Sequence, residues 1–421
     1  MELKYGVNDR PKFGFLMLYS LQWFVLALAV VTTSLFIATG SPAERVLYAQ
    51  KVFALMGITT IVQVLWGHRL PIISGPASVL LVGIITALAT QGTEINTNSI
   101  YSAILIGGVI TTLLAAGKLL KRIQKFFTPR IVVVIMMLIA FTLGTTIKNL
   151  IFPAGDEDRH IFGLWFTLLG IPAMILATSR LRGVAKSLVV PIALIAGYVL
   201  YYVIYGGFSD VTRQFSASEG ALLLPKIEFD WSMIAAFMIC YVALIINEIS
   251  SIQSLGGMLS ITDSDKRSRR GLAISGIFNI AAGSFGIIGP VSYSMSPGVI
   301  ASSSCASRYA LIPAGLGLVI CAFVPQLIAI MSAIPNTVIG VILLYLMGTH
   351  VASSFLTLIE SGSVKSFNDC LVIGLPIMIS LLFGIIPMNV VPTILRPIIG
   401  NGFVMGILTV MLLEHVLLRK K

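Results

Sequence analysis

The sequence predicts an all-α polytopic membrane protein whose 14 transmembrane segments form a 7+7 inverted repeat. Apolar residues make up 57% of the 421 residues, and charged residues only 11%, against about 25% in a soluble domain. The apolar residues fall into fourteen runs near the ~20 residues that cross a bilayer. The basic residues lie mostly in alternate loops, which the positive-inside rule expects of a multi-pass protein.

The fourteen predicted spans follow one another with short polar connections. They cover residues 14–38, 46–67, 71–90, 100–117, 130–151, 161–179, 186–205, 231–254, 271–287, 291–306, 309–331, 336–351, 368–387 and 397–418.

An even number of spans places both termini on one side of the membrane. Most of the 28 Lys and Arg residues fall on that side, which predicts a plasma (inner) membrane protein with both termini in the cytoplasm. The net charge of +11 is therefore a topology signal, and we expect no nucleic-acid partner. We also expect no cleaved signal peptide, because the first apolar run continues as a full span.

Two weak internal matches support the repeat, which must be inverted because each half has an odd number of spans. RLPIISGPASVLL (69–81) is similar to IGPVSYSMSPGVI (288–300), and FFTPRIVVVIMML (126–138) is similar to SAIPNTVIGVILL (332–344).

The third and tenth spans hold too much Pro, Gly and Ser for a straight helix. Irregular backbone at membrane depth survives where it lines a cavity or is buried in protein. Inverted half-spans would turn two positive helix N-termini toward a ligand rich in carbonyl oxygens. Kinks that serve only helix packing are the alternative.

Glu248 is a carboxylate within about twenty otherwise apolar residues of span 8. Such a group costs about 2.5–3.5 kcal/mol at the bilayer centre, and it usually faces a cavity or a partner. It is a candidate ligand-binding group and proton carrier, or else a structural acid paired with a neighbouring helix. Gln22 in span 1 either lines the same cavity or bonds another helix.

The four Cys and four His residues show no metal-ligand spacing. We expect no metal site and no cofactor. A lone buried carboxylate without a nucleophile, a base or a phosphate-binding loop also argues against an enzyme.

Four segments carry a family resemblance over essentially the whole chain: LYSLQWF (18–24), NEISSIQSLG (247–256), PVSYSMSPGVIASSSCASR (290–308) and PNTVIGVILLYLMG (335–348). They resemble the nucleobase/ascorbate transporter family, also called nucleobase–cation symporter-2 or the xanthine/uracil permease family. The resemblance implies short strands in spans 3 and 10, a homodimer, and an elevator-like movement of a core domain against a gate domain.

The implied domains each come in two parts. The core would comprise residues 1–125 and 230–333, and the gate residues 126–210 and 334–421.

The resemblance also implies a site in which Glu248 binds the base ring and backbone of span 10 meets its carbonyl edge. The implied substrate-binding residues are Glu248, Ser294, Met295, Ser296, Tyr293, Ser78, Ala77, Gln22 and Trp23, with Glu248 also coupling transport to the cation.

Three positions depart from the family pattern. Trp23 stands where a His usually follows Gln22, and Met295 replaces an amide or acid that would read a second ring edge. Ser78 occupies the place where bacterial uracil permeases have a stacking Phe. The choice of base, and of H⁺ or Na⁺ as the coupling ion, therefore stays open at this point.

The sequence thus favours a symporter for a uracil-like or xanthine/urate-like nucleobase, with H⁺ preferred to Na⁺. The alternative is an anion transporter of the sulfate-permease type, which shares the architecture. It is motivated by the two positive half-helix ends and by the missing base-reading side chain at Met295. The regulatory domain that usually follows the membrane domain in that family is not seen after Leu418.

Overall fold

The fold is built almost entirely of helices, and every predicted span contains a helix or a short strand followed by a helix. A computed structural model describes residues 3–32, 34–38, 41–90, 97–117, 127–155, 159–181, 184–206, 224–293, 296–392 and 395–418.

The first half of the chain holds nine helices and one strand among its described residues. They are α1 (Phe13–Thr32), α2 (Pro42–Leu65), β1 (Ser74–Pro76), α3 (Ser78–Thr90), α4 (Thr97–Ala116), α5 (Pro129–Thr142), α6 (Gly144–Ile151), α7 (His160–Arg180), α8 (Val184–Ser187) and α9 (Val189–Tyr205).

The second half repeats the interruption of a span by a strand. Its elements are α10 (Trp231–Met258), α11 (Ser264–Phe285), β2 (Pro290–Ser292), α12 (Ser296–Ser303), α13 (Leu311–Ala322), α14 (Pro325–Ser332), α15 (Asn336–Ser361), α16 (Phe367–Gly384), α17 (Arg396–Ile399) and α18 (Gly402–Leu412).

Eight helices within the described ranges are long and apolar enough to cross a bilayer, as a multi-pass membrane protein requires. The strands expected in spans 3 and 10 are present as β1 and β2. Fourteen crossings and a full inverted repeat stay predictions.

Two helices extend well beyond their predicted spans. α15 continues past residue 351 to Ser361, because its Ser and Thr hydroxyls bond to carbonyls of the preceding turn and lower the hydropathy without breaking the helix. It ends at Gly362, whose φ of 55° suits glycine. α11 starts at Ser264 rather than 271, since the charged residues before the apolar run are also helical.

Glycines let two pairs of helices approach closely. A Cβ on Gly57 of α2 would lie 2.5 Å from the carbonyl oxygen of Gly315 on α13, and one on Gly108 of α4 would lie 2.8 Å from that of Gly276 on α11. In lipid, no hydrophobic driving force brings helices together. Small residues at such crossings let the backbones approach closely, so that van der Waals packing stabilises the contact. In the predicted repeat, α2 of the first half corresponds to α11 of the second, and α4 corresponds to α13. The close α2–α13 crossing therefore has the close α11–α4 crossing as its counterpart, as the predicted repeat expects.

A second group of helices gathers around α15, which packs against α5, α6 and α7, while α16 packs against α5 and α18. The hydroxyl of Tyr345 on α15 lies 2.7 Å from that of Thr178 on α7. This grouping follows the predicted gate ranges, while β1, α10, α11 and α13 pack on α1–α4. The division into core and gate domains nevertheless stays a prediction.

Candidate functional site

The two strands cross within the helices of the predicted core. They pair antiparallel, with Ser74 opposite Ser292 and Pro76 opposite Pro290. The pairing extends beyond the strands, because Ala77 N donates to Gly289 O at 2.9 Å and Tyr293 N donates to Ile73 O at 2.9 Å. α3 and α12 follow their strands directly. Because the strands are antiparallel, both helices begin near the crossing and run away from it in opposite directions.

Side chains from neighbouring helices satisfy the backbone of this small ribbon. Thr60 on α2 accepts from Ser74 N at 3.2 Å and donates to Ser74 O at 3.3 Å. Asn279 on α11 donates to Pro290 O at 3.0 Å. Ser296, a predicted site residue, is fully buried and accepts from Ile73 N at 3.2 Å. Polar backbone inside a membrane needs such partners, so Ser296 supports the crossing of the strands.

Glu248 of α10 is fully buried and binds this ribbon. Its Oε2 accepts from Ser292 N at 2.7 Å, and its Oε1 accepts from Ser292 Oγ at 2.6 Å. Ser275 Oγ on α11 donates to the same Oε1 at 3.0 Å. A carboxylate offers about four acceptor positions, so these three bonds leave one free.

A relay of hydrogen bonds orients one of these donors. Gln63 Nε2 on α2 donates to Ser275 Oγ at 2.9 Å and to Gly271 O at 2.9 Å. Since Ser275 accepts from an amide N–H, its own proton is free to point at Glu248. The chain Gln63–Ser275–Glu248 therefore fixes the direction of the Ser275–Glu248 hydrogen bond.

The predicted residues of span 1 are also buried. Gln22 and Trp23 have 2% and 1% of their surface exposed on α1. That helix packs against β1 and α13, and both side chains are covered by protein.

A cavity of about 30 Å³ lies next to the strands. Its lining residues are Val30, Ser34, Pro76, Ser78, Leu81, Tyr293, Leu143, Leu343, Leu346, Met347 and His350. The first six belong to the predicted core and the last five to the predicted gate. A water needs roughly 10–15 Å³ of such space, so the cavity has room for water but is too small for a ring.

Two of the predicted site residues, Ser78 and Tyr293, line this cavity. Tyr293 Oη donates to Pro76 O at 2.6 Å, which fixes the ring at the end of the ribbon. The fully buried Glu248 and Ala77 lie beside the crossing rather than in the cavity wall. The predicted Ser294 and Met295 lie outside the described residues.

Several polar residues of this region were not singled out by the sequence, among them Gln63, Ser275, Ser292 and His350. Gln63 and His350 each stand within a predicted span, where a polar side chain is a signal. Ser275 and Ser292 gave no such signal, because serine is common in membrane helices. No group of three or more metal-binding side chains occurs in the part of the chain described.

A family described as "Permease family", whose name denotes xanthine and uracil permeases, matches residues 14–392. The uric acid permease PucK of Bacillus subtilis is 25% identical over 90% of this chain and 89% of its own length. The xanthine permease XanP of Escherichia coli is 24% identical over 98% of this chain and 94% of its own.

Two solved structures have the same fold. The transmembrane domain of the cyanobacterial bicarbonate transporter BicA covers 89% of this chain and 97% of its own, with a TM-score of 0.63 and 16% identity. The murine anion transporter Slc26a9, in its inward-facing state, covers 96% of this chain and 68% of its own, with a TM-score of 0.65 and 13% identity.

Proposed function

This chain belongs to the xanthine and uracil permease family, and on that premise we propose that it imports a nucleobase by cation symport. It is a transporter, not an enzyme. The observation that supports the proposal most directly is the buried carboxylate of Glu248 at the strand crossing. The relatives named for uric acid and xanthine favour a xanthine- or urate-like base over a uracil-like one.

Glu248 would bind the ring through an N–H group. One acceptor position of its carboxylate is free, and a ring N–H that competes for Oε1 would displace the hydroxyl of Ser292 or Ser275. The backbone around Ser294, Met295 and Ser296 would meet the carbonyl edge of the ring, while Tyr293 and Ser78 would border it.

H⁺ is the coupling ion that the geometry favours. The three donors around Glu248 stabilise the charged form, whereas burial in an apolar protein penalises it. A group balanced in this way changes its protonation when one donor moves or a ring N–H arrives. Proton binding at Glu248 would thereby be linked to substrate binding.

Movement of the core against the gate would provide alternating access. The cavity supports this proposal because one wall comes from each group of helices. Sliding between the walls would open it toward either side and make room for the ring. Family membership further implies a homodimer in the plasma membrane with both termini in the cytoplasm.

The anion alternative has less support. The two solved anion transporters are 16% and 13% identical to this chain, and likeness at that level concerns the fold alone. The relatives named for uric acid and xanthine, by contrast, are matched over most of their own length.

Uptake by proteoliposomes that contain the purified full chain tests the proposal. Labelled xanthine, uric acid, uracil, sulfate and bicarbonate are supplied side by side, under a proton gradient, a sodium gradient or neither. We expect accumulation of a nucleobase driven by the proton gradient. Accumulation of sulfate or bicarbonate without any nucleobase would establish the anion alternative instead.

A further inference from the structure

His350 stands on the wall of the cavity that faces the strand crossing. The α15 residues that line the cavity are Leu343, Leu346, Met347 and His350. Their spacing of three and four residues places them on one face of the helix. His350 therefore adds an imidazole to an otherwise apolar stripe.

The Nδ1 atom of His350 is buried and has no hydrogen-bond partner. A buried polar atom without a partner costs free energy, and its presence in a folded protein calls for an explanation. Two hydroxyls of the cavity wall are already engaged, since Ser34 donates to Val31 O at 2.8 Å and Tyr293 donates to Pro76 O at 2.6 Å. His350 thus retains hydrogen-bonding capacity at the wall of the cavity.

We propose that His350 is a substrate-binding residue that selects bicyclic purine bases over monocyclic pyrimidines. The inference rests on the proposed function and makes its substrate class narrower. The strands, to which Glu248 is bonded, supply one wall of the cavity, and His350 belongs to the other. A ring system held by both walls must carry hydrogen-bonding groups at two distant edges. A purine dione has N–H, ring nitrogen or carbonyl groups on both of its rings, whereas uracil has only one ring.

The chemistry of imidazole suits this role. Neutral histidine carries one donor and one acceptor nitrogen, so Nδ1 can accept from a ring N–H or donate to a ring nitrogen or carbonyl. A shorter ligand that does not reach Nδ1 leaves this atom without a partner. The complex then retains the free-energy cost of a buried, unpaired polar group. A site built in this way rejects a ligand that lacks the matching group more strongly than an apolar pocket does.

Binding of labelled xanthine and uracil to the purified full chain tests the proposal. His350→Leu removes the hydrogen bond, and we expect it to weaken xanthine binding by about tenfold or more while uracil binding changes little. His350→Asn places an amide near the position of Nδ1, and we expect it to restore most of the xanthine affinity. A general packing defect would not be rescued by this smaller side chain.

His160→Leu is the matched control, because His160 bonds to Pro153 O at 2.8 Å, away from the cavity. It should leave the ratio of xanthine to uracil affinity unchanged. Equal weakening of both bases by His350→Leu, or no weakening, would overturn the role of His350, and so would a wild-type chain that binds uracil but not xanthine. A wild-type chain that binds neither base, nor uric acid, would overturn the proposed function itself.

Discussion

Ser292 binds the carboxylate of Glu248 twice, through its backbone N–H at 2.7 Å and through its hydroxyl at 2.6 Å. The two bonds fasten β2 to α10 and leave both residues fully buried. The backbone bond persists whatever side chain occupies position 292, whereas the hydroxyl bond can be removed. The contributions of anchoring the strand and of binding a ligand can therefore be separated by substitution.

Ser292→Ala removes one hydrogen bond to the buried carboxyl group of Glu248. We expect the free energy of unfolding to fall by about 1–3 kcal/mol, measured by thermal or denaturant unfolding in detergent. Ser20→Ala is the control, since the buried hydroxyl of Ser20 bonds to Leu16 O within its own helix. A Ser292→Ala effect no larger than that of the control would show that the hydroxyl of Ser292 does not stabilise the link between β2 and α10.

Glu248→Gln keeps the size of the side chain but removes its charge and one acceptor. We expect both base binding and gradient-driven uptake to be lost, measured by ligand-dependent thermal shift and by proteoliposome uptake. If both activities persist at wild-type level, Glu248 is not the residue that binds and couples.

Gln63→Met removes the amide that donates to Ser275 Oγ and Gly271 O. Because Ser275 is then free to turn away from Glu248, we expect weaker substrate binding, together with a loss of about 1–3 kcal/mol of stability from the buried groups left unpaired. Gln50→Met on the same helix is the matched control, since Gln50 bonds only to Ala322 O at 3.0 Å in a less buried position. Equal changes in substrate affinity for the two variants would rule out the orienting role of Gln63.

Glu248 and the two interrupted spans could be predicted from the sequence because each is costly in a membrane. A buried charge and a run of Pro and Gly survive there only when tertiary structure compensates for them. The compensating residues could not be predicted. Ser292 and Ser275 reach the carboxylate only because β2 and α11 pack against α10, and a single sequence does not contain that pairing.

The ends of helices were predicted less well than their centres. Hydropathy marks the apolar middle of a span, whereas α15 and α11 continue into polar residues. His350 lay at the edge of its predicted span for this reason. Only the packing of α15 across the cavity gives its imidazole a specific setting.

His68 lies in the connection between α2 and β1, outside the membrane-spanning segments. Burial, aided by the positive charge of Arg267, lowers the pKa of His68 from 6.5 to about 3. Between pH 6.5 and pH 3 the imidazole of His68 is protonated in the unfolded chain but neutral in the folded one. The stability that the neutral, buried His68 contributes is therefore fully present above pH 6.5 and is lost as the pH falls toward 3.

We expect His68→Asn to flatten this pH dependence. Asn offers an acceptor in place of Nδ1, which binds Leu70 N at 3.0 Å, but it does not titrate. Melting temperatures measured from pH 7.5 to pH 4.5 should fall more steeply for the wild type than for the variant. Parallel curves would show that His68 does not contribute to the acid sensitivity.

Gly57→Ala tests the close crossing of α2 and α13. The added Cβ would lie 2.5 Å from Gly315 O and 2.8 Å from a side-chain carbon of Val319, and overpacking of this kind costs about 1–3 kcal/mol. Gly348→Ala on α15 meets nothing within 4 Å and should be neutral or stabilising by about 0.5–1 kcal/mol. Thermal unfolding of both variants measures the difference, and equal melting temperatures would contradict the packing described.

Arg130 joins three helical elements of the predicted gate through buried charges. Its guanidinium bonds to Asp369 at the start of α16 and, at 2.8 Å, to Glu414 beyond α18, and these carboxylates are 2% and 4% exposed. Arg130→Met leaves two buried carboxylates without a cation, and we expect it to lower the free energy of unfolding by about 3–5 kcal/mol.

Asp263→Ala is the control, because it breaks an exposed pair with Arg267 in which the carboxylate of Asp263 is 48% exposed. It should cost at most about 1 kcal/mol. Denaturant unfolding in detergent compares the two variants, and a loss at Arg130 as small as that at Asp263 would mean that water screens the carboxylates of the gate.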